Sequence, residues 1–301
     1  MKNIKLVLAL LVSLVVSACG GGGGGNDLGS SAPTTPLNIS ATNQLDITRA
    51  ALNYTIAGSA IDVFSTNDLL DVLNNTPCVN TATGGNIIFT PATLTNFTSG
   101  TIIFFDCTLA SGRTFNGRLT FNNLTTAPSN NFTNPDSLSI RFGFDSLTVT
   151  KARQITLLGD YVLSINGLNT FTVTTTITSP TGTSLKLNSN ISETLSNFSF
   201  VSRVTNPGIS ATENNSFTLA SSVLGGQIIC KTTTPFTTDI SLNRSFPSTG
   251  VAIITSTLNL NQLQIDVLGD EINTVNPVQV KLDTGNGFGS PTPYTWSALF
   301  P

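Results

Sequence analysis

Three observations predict a mainly β protein with an N-terminal helical segment: the composition, a change of hydrophobic period near residue 78, and the turn signals that recur after it. Of 301 residues 39% are hydrophobic and only 10% charged, and Thr, Ser and Asn fill the gap left by the roughly 25% charged fraction usual in soluble domains. Thr and aromatic side chains suit strands, whereas long surface helices draw on Glu, Lys and Arg. Histidine is absent, which removes the commonest general base, the Ser-His and Cys-His nucleophile pairs, and the imidazole ligands of most zinc and copper sites. With 13 Lys+Arg against 16 Asp+Glu and an isoelectric point near 4.8, no basic surplus exists to neutralise phosphates, so no nucleic-acid partner is expected.

The chain opens Met1-Lys2-Asn3-Ile4-Lys5 and runs mostly apolar from Leu6 to Val16. A short cationic segment precedes a stretch below the roughly 20 residues that span a bilayer, so residues 1–18 read as a signal peptide. Its end, Val16-Ser17-Ala18-Cys19, resembles the bacterial lipobox, and Cys19 is the expected lipid-bearing (palmitate) N-terminus of the mature chain. Loss of Lys2 and Lys5 leaves 11 basic residues against 16 acidic ones, a net charge of −5. Residues 19–38, with Gly20 to Gly25 uninterrupted and Pro33 and Pro36 beyond, read as a flexible Gly/Ser/Pro-rich tether. No strand precedes and no helix follows the glycines, so they do not form a phosphate-binding loop. Gly20, not Asp, follows Cys19; by analogy with lipoprotein sorting the anchor is expected in the outer membrane and facing the periplasm, its acyl chains holding without a transmembrane helix since each buried methylene contributes roughly 0.8 kcal/mol.

Residues 39–301 read as one β-rich domain. Over 39–77 the apolar spacing is helical: Leu45, Leu52, Ile56, Ile61 and Phe64, then Leu69, Leu70, Val72 and Leu73, with Asn67 as the expected N-cap of the second run, Asp68 in its first turn and Pro77 as its stop. One helix or two would fit. From Cys78 onward the period is two. Leu138, Ile140, Phe142 and Phe144 alternate with polar neighbours, and Leu147 and Val149 continue on the opposite parity, which predicts a β-bulge at Asp145-Ser146. Alternation recurs in Leu119/Phe121, Phe171/Val173, Leu185/Leu187, Ile228/Cys230, Ile253/Thr255 and Leu263/Ile265/Val267. Turn signals separate them, among them Ser111-Gly112, Asn116-Gly117, Gly159-Asp160, Asn166-Gly167, Gly225-Gly226 and Pro247-Ser248. Strands this close together must be antiparallel, since parallel neighbours need crossovers of a dozen or more residues. The expected architecture over 78–301 is therefore a large curved antiparallel sheet or partly closed barrel wrapping a helix; the alternative is a β-sandwich.

Three cysteines follow Cys19. Cys78 and Cys107 are expected to form a disulfide in an oxidising compartment, closing a loop of roughly 30 residues worth about 3 kcal/mol in the chain-entropy model. Cys230, in a strand after Ile228-Ile229, reads as a buried small apolar residue without a basic partner. Asp283-Thr284-Gly285 carries the triplet of aspartic proteases, but one copy could act only as a dimer, and Asn286 stands where Ser or Thr belongs. The same stretch makes Asp283 and Asn286 a candidate calcium loop, with Gly285 and Gly287 at two ligand positions. A strand running into a Gly-rich turn accounts for the stretch without either. No catalytic residue, resident metal or cofactor is expected.

Three stretches together resemble an uncharacterised family of outer-membrane lipoproteins of Gram-negative, mostly gammaproteobacterial, species. They are Phe105-Asp106-Cys107 with Gly112 and Asn116-Gly117-Arg118-Leu119; Gly226-Gln227-Ile228 with Thr232 to Phe236 and Pro247-Ser248-Thr249-Gly250; and Val280-Lys281-Leu282-Asp283 through Gly287 to Thr295-Trp296. The resemblance implies a β-rich body and no established activity. The expectation is a non-enzymatic envelope accessory, anchored by its lipid, whose partner beyond the membrane is a lipid or apolar small molecule. The alternative is a surface-exposed adhesion or structural module, and a third reading is an acid hydrolase using Asp283.

Overall fold

The computed structural model describes residues 32–56, 66–74, 76–90, 98–128, 135–150, 154–181, 183–188, 191–205, 210–242, 244–269, 272 and 274–300. Cys19, the run Gly20 to Gly25, Ile61, Phe64 and Asn206-Pro207-Gly208, a further turn signal of the sequence, lie outside them. In chain order the elements are α1 (Gln44–Thr55), α2 (Thr66–Leu73), β1 (Asn86–Thr90), β2 (Gly100–Thr108), β3 (Thr114–Ala127), β4 (Ser137–Thr150), β5 (Gln154–Asn166), β6 (Thr172–Thr178), β7 (Ser184–Asn188), β8 (Ser192–Thr205), β9 (Ser210–Ser221), β10 (Gly226–Asp239), β11 (Thr249–Thr255), β12 (Gln262–Val267), β13 (Val278–Asp283), β14 (Thr292–Tyr294) and α3 (Trp296–Leu299). The expected fold class is what the chain adopts: mainly β, antiparallel, with helices before the strands. The helical segment is two helices, and Asn67 lies inside α2 rather than capping it. The described residues fall into two compact units, one within 66–188 and a second assembled from 32–56 with 191–300.

In the first unit β1 to β5 pair in sequence order. Beyond them β5 has two partners, β6 along Val162–Asn166 and β7 along Thr156–Gly159. The predicted bulge is present, since the β4–β5 register shifts between Asp145 and Leu147. Ser146 there has φ 56°; Asp106 and Asn123 take left-handed backbone at shifts of β2–β3 and β3–β4, as Asn197 does at the β8–β9 shift of the second unit. Short side chains that bond their own backbone tolerate that conformation best. Asn116-Gly117 and Gly159-Asp160, expected as turns, lie within β3 and β5. Both glycines have φ 113°, and each lets a facing backbone come close: a Cβ on Gly159 would stand 1.9 Å from the Ser184 oxygen, and one on Gly117 2.7 Å from that of Ser146. They bend strands against their neighbours instead of reversing the chain. The inward parity of β4 meets an aromatic partner on β5, Phe142 edge-on to Tyr161 at 5.5 Å, and Phe104 of β2 lies 5.3 Å from Phe115 of β3. Such ring pairs add to the area they bury.

In the second unit β8 to β14 also pair consecutively. The helix α1 packs on β9, β10, β13 and α3. On a flat sheet β10 and β13 would stand about 14 Å apart, more than a helix diameter, so this sheet curls around α1. The buried stripe of α1 is Ile47, Thr48, Ala51, Leu52, Tyr54 and Thr55, at the three- and four-residue spacing of one face; Leu45 and Ile56 are only half-buried. The buried parity of β11 is Ala252 and Ile254, opposite to the expected Ile253/Thr255, because Val251 to Ile254 is apolar on both faces and parity alone cannot orient it. Phe171 is 76% exposed and stands just before β6.

Candidate functional site

The expected disulfide is in place, Cys78 to Cys107 with Cα atoms 5.3 Å apart. Around it Asn80 works as a clamp: its side chain donates to the Asp106 oxygen at 2.8 Å and accepts from the Thr108 amide at 2.9 Å. Asp106 in turn accepts from the Asn116 side chain at 2.8 Å, so Asn80, Asp106 and Asn116 form a framework around the disulfide. Next to this corner, Arg113 reaches Asp68 at 2.9 Å with both side chains almost sealed from solvent. Asp68 sits in the first turn of α2, where the helix dipole also favours a carboxylate. Nothing at sequence level joins residues 45 positions apart, and this pair was not foreseen.

A second buried polar cluster lies under the C-terminal turn of α1. The last carbonyls of a helix lack intrahelical partners. Here the Thr55 hydroxyl donates to the Ala51 oxygen at 2.8 Å, and the Asn215 side chain of β9 donates to the Thr55 oxygen at 2.6 Å. Asn215 also accepts from the Val201 amide at 3.2 Å, while its own amide donates to the Thr232 hydroxyl at 3.1 Å. Cys230 is a buried free thiol 3.6 Å from the Thr55 hydroxyl. Burial pushes the thiol up to about 12, and the Thr55 hydrogen bond offsets only part of that. The thiolate that nucleophilic chemistry requires is thereby disfavoured, in line with the apolar reading of Cys230. One residue earlier the Tyr54 hydroxyl donates to Glu193 at 2.5 Å. Asn215, overlooked from sequence, did carry a signal: it shares the inward parity of Phe217 and Leu219, and a polar residue on a buried face must be hydrogen-bonded.

Asp283 closes its own turn. Its Oδ1 accepts from the Gly285 and Gly287 amides at 2.7 and 2.9 Å, and Asn286 is exposed. These two bonds form the Gly-rich turn that accounts for the stretch without an ion or a second chain. Among the described residues no three His, Cys, Asp or Glu side chains gather as a metal site. The buried carboxylate of Asp266 on β12 faces Lys281 at 2.6 Å. At the C-terminus Thr295 caps α3 by accepting from the Ala298 amide at 3.1 Å. Trp296 stacks on Phe246 at 4.6 Å, and Arg49 of α1 donates to the Ala298 oxygen at 2.6 Å.

The N-terminal chain enters this unit as an added piece of backbone. Pro36 bridges Gln227 in parallel, with the Gln227 amide donating to the Thr35 oxygen at 2.8 Å and the Leu37 amide to the Gln227 oxygen at 3.0 Å. Asn259 bonds the side chain of Asn38, and Asn261 donates to the Ile39 oxygen at 2.7 Å. Residues 35–38, expected as the end of the tether, are therefore laid onto the body. No family model, curated protein or solved structure matches the chain.

Proposed function

We propose that the chain is an outer-membrane lipoprotein, acylated on Cys19, whose body is a non-enzymatic accessory of the cell envelope. The observation that carries this reading is the junction of tether and body: residues 35–39 are bonded to β10 and to the β11–β12 turn, so a lipid on Cys19 would hold the body by one defined point. The buried chemistry supports the non-enzymatic half, since Asp68 and Asp266 face cations and Cys230 keeps its proton at neutral pH. A carrier for a lipid or apolar small molecule is the less favoured version, because Ile47, Ala51, Leu52 and Tyr54 of α1 already occupy the hollow of the second unit's sheet. Metabolic labelling with a palmitate analogue tests the anchor. Label in the wild-type chain and its loss, with release from the membrane fraction, in Cys19→Ala is the expected result; an unlabelled wild-type chain overturns it.

A surface-exposed adhesion or structural module is the second reading, favoured by the uncharged hydroxyl pairs on β-strand faces of the first unit. Thr108 pairs with Thr114 at 2.9 Å, Ser139 with Ser164 at 3.1 Å and Thr148 with Thr156 at 3.2 Å. Protease shaving of intact cells separates the two readings, since a periplasm-facing accessory is protected and a surface module is cut.

A further inference from the structure

We infer that one end of the second unit is a membrane-docking surface, at which three hairpin tips enter the headgroup region of the bilayer that carries the Cys19 acyl chains; the inference rests on the acylation proposed above. The strand registers bring these tips together. Ile229 pairs with Thr255, Thr255 with Gln262, and Gln262 with Asp283, so the turns 222–225, 256–261 and 284–291 share one end of the sheet. The N-terminal chain joins the body at that same end, through Gln227, Asn259 and Asn261.

These tips expose large apolar side chains: Val223 is 58% accessible, Leu258 61%, Leu260 86% and Phe288 39%. No Asp, Glu, Lys or Arg occurs within the three turns or in residues 32–43; the one carboxylate at their edge, that of Asp283 at the end of β13, is held inward by the Gly285 and Gly287 amides. The opposite end exposes as many large apolar residues, Leu242 at 58%, Leu268 at 57%, Ile272 at 71% and Val275 at 86%, so the difference lies in charge: its loops 240–248 and 268–277 include Arg244, Asp270 and Glu271. Carboxylates resist transfer toward an anionic, partly dehydrated interface, whereas Leu, Val and Phe among Asn, Ser, Thr and Gly enter it readily. The tether chooses the same end. Cys19 and Ala32 are 13 residues apart, and a Gly/Ser-rich chain of that length spans about 20 Å on average. The tips are thus held close to the bilayer at an effective concentration in the millimolar range, while the far end stands at least about 20 Å further off, the length of a six-residue strand.

The test uses the full chain, expressed in a Gram-negative host, purified in its mature form and reconstituted into phosphatidylethanolamine/phosphatidylglycerol vesicles with plain or brominated acyl chains. Tryptophan probes are introduced as Leu260→Trp at the tether end and Leu268→Trp at the opposite end, with Trp296, only 3% exposed, as the background emitter. The expected result is loss of Leu260→Trp emission in brominated lipid, with Leu268→Trp no more quenched than the wild type. Acylated protein in which Leu260→Trp is unquenched, or in which Leu268→Trp is quenched as much, overturns docking alone. An N-terminal peptide whose mass lacks acyl chains on Cys19 overturns the anchor and the docking together.

Discussion

The side-chain amide of Asn215 donates to the main-chain oxygen of Thr55 at 2.6 Å, joining β9 to the last turn of α1 across 160 residues of sequence, and both residues are sealed from solvent. One side chain meets two backbone groups at that point, the Thr55 carbonyl and the Val201 amide. Its loss strands the buried Thr55 acceptor, which bulk water does not reach, and leaves the half-buried Val201 donor without this partner.

Asn215→Leu is therefore expected to lower stability by about 2–3 kcal/mol, the cost of stranding buried polar groups. The urea midpoint falls while the slope of the transition is unchanged. A midpoint equal to wild type would remove the structural weight placed on this residue.

The ion pair of Asp68 and Arg113 is expected to respond asymmetrically. Arg113→Met takes away the cation that faces a buried carboxylate and costs about 3–5 kcal/mol, whereas Asp68→Leu combined with Arg113→Met recovers most of that loss. Thermal unfolding of the two variants beside wild type measures the difference. Equal losses in both would mean that the pair's geometry, not its charge balance, is what matters.

How far these features could be read beforehand follows from the range over which a sequence pattern acts. Alternation at Leu138 to Phe144 and its slip at Asp145-Ser146 are local, and both the strand and its bulge were legible. The disulfide of Cys78 and Cys107 was legible because few cysteines leave few pairings. Gly117 and Gly159 misled because a glycine signals left-handed backbone without saying whether the chain turns or merely bends beneath a neighbour. Asp68 with Arg113, and Thr55 with Asn215, could not be paired at all, since each depends on a fold that brings distant segments together. At the candidate site the turn role of Asp283 was anticipated; the docking of residues 35–38 was not, because its partners Gln227, Asn259 and Asn261 are ordinary polar residues of distant turns and strands.

Cys230 gives a pH dependence whose sign is fixed. Its thiol rises from 9.0 to about 12 on burial, so the folded chain holds the proton that an unfolded chain releases more readily. The contribution is complete below pH 9 and is lost as pH rises toward 12. Denaturation midpoints of wild type and Cys230→Ala are expected to converge or cross over that interval, with wild type declining faster. At neutral pH the native thiol should resist iodoacetamide and react only after denaturation; native-state labelling at the unfolded rate would contradict its burial.

Replacing the disulfide by Cys78→Ser with Cys107→Ser opens a loop with a sequence separation of 29. About 3 kcal/mol of stability should go with it, seen as a lower melting temperature that added reductant does not depress further. Wild type treated with reductant should approach the same value.

The helix α1 is translated early, yet the strands that cover it, β9, β10 and β13, and the α3 carbonyl that Arg49 binds arrive only with the last third of the chain. Residues 62–189 are complete well before then. During synthesis, the apolar stripe of α1 must wait bare while an entire unit is made behind it, which leaves this one helix as the chain's main exposure to mispairing and to chaperone capture before the C-terminus is released.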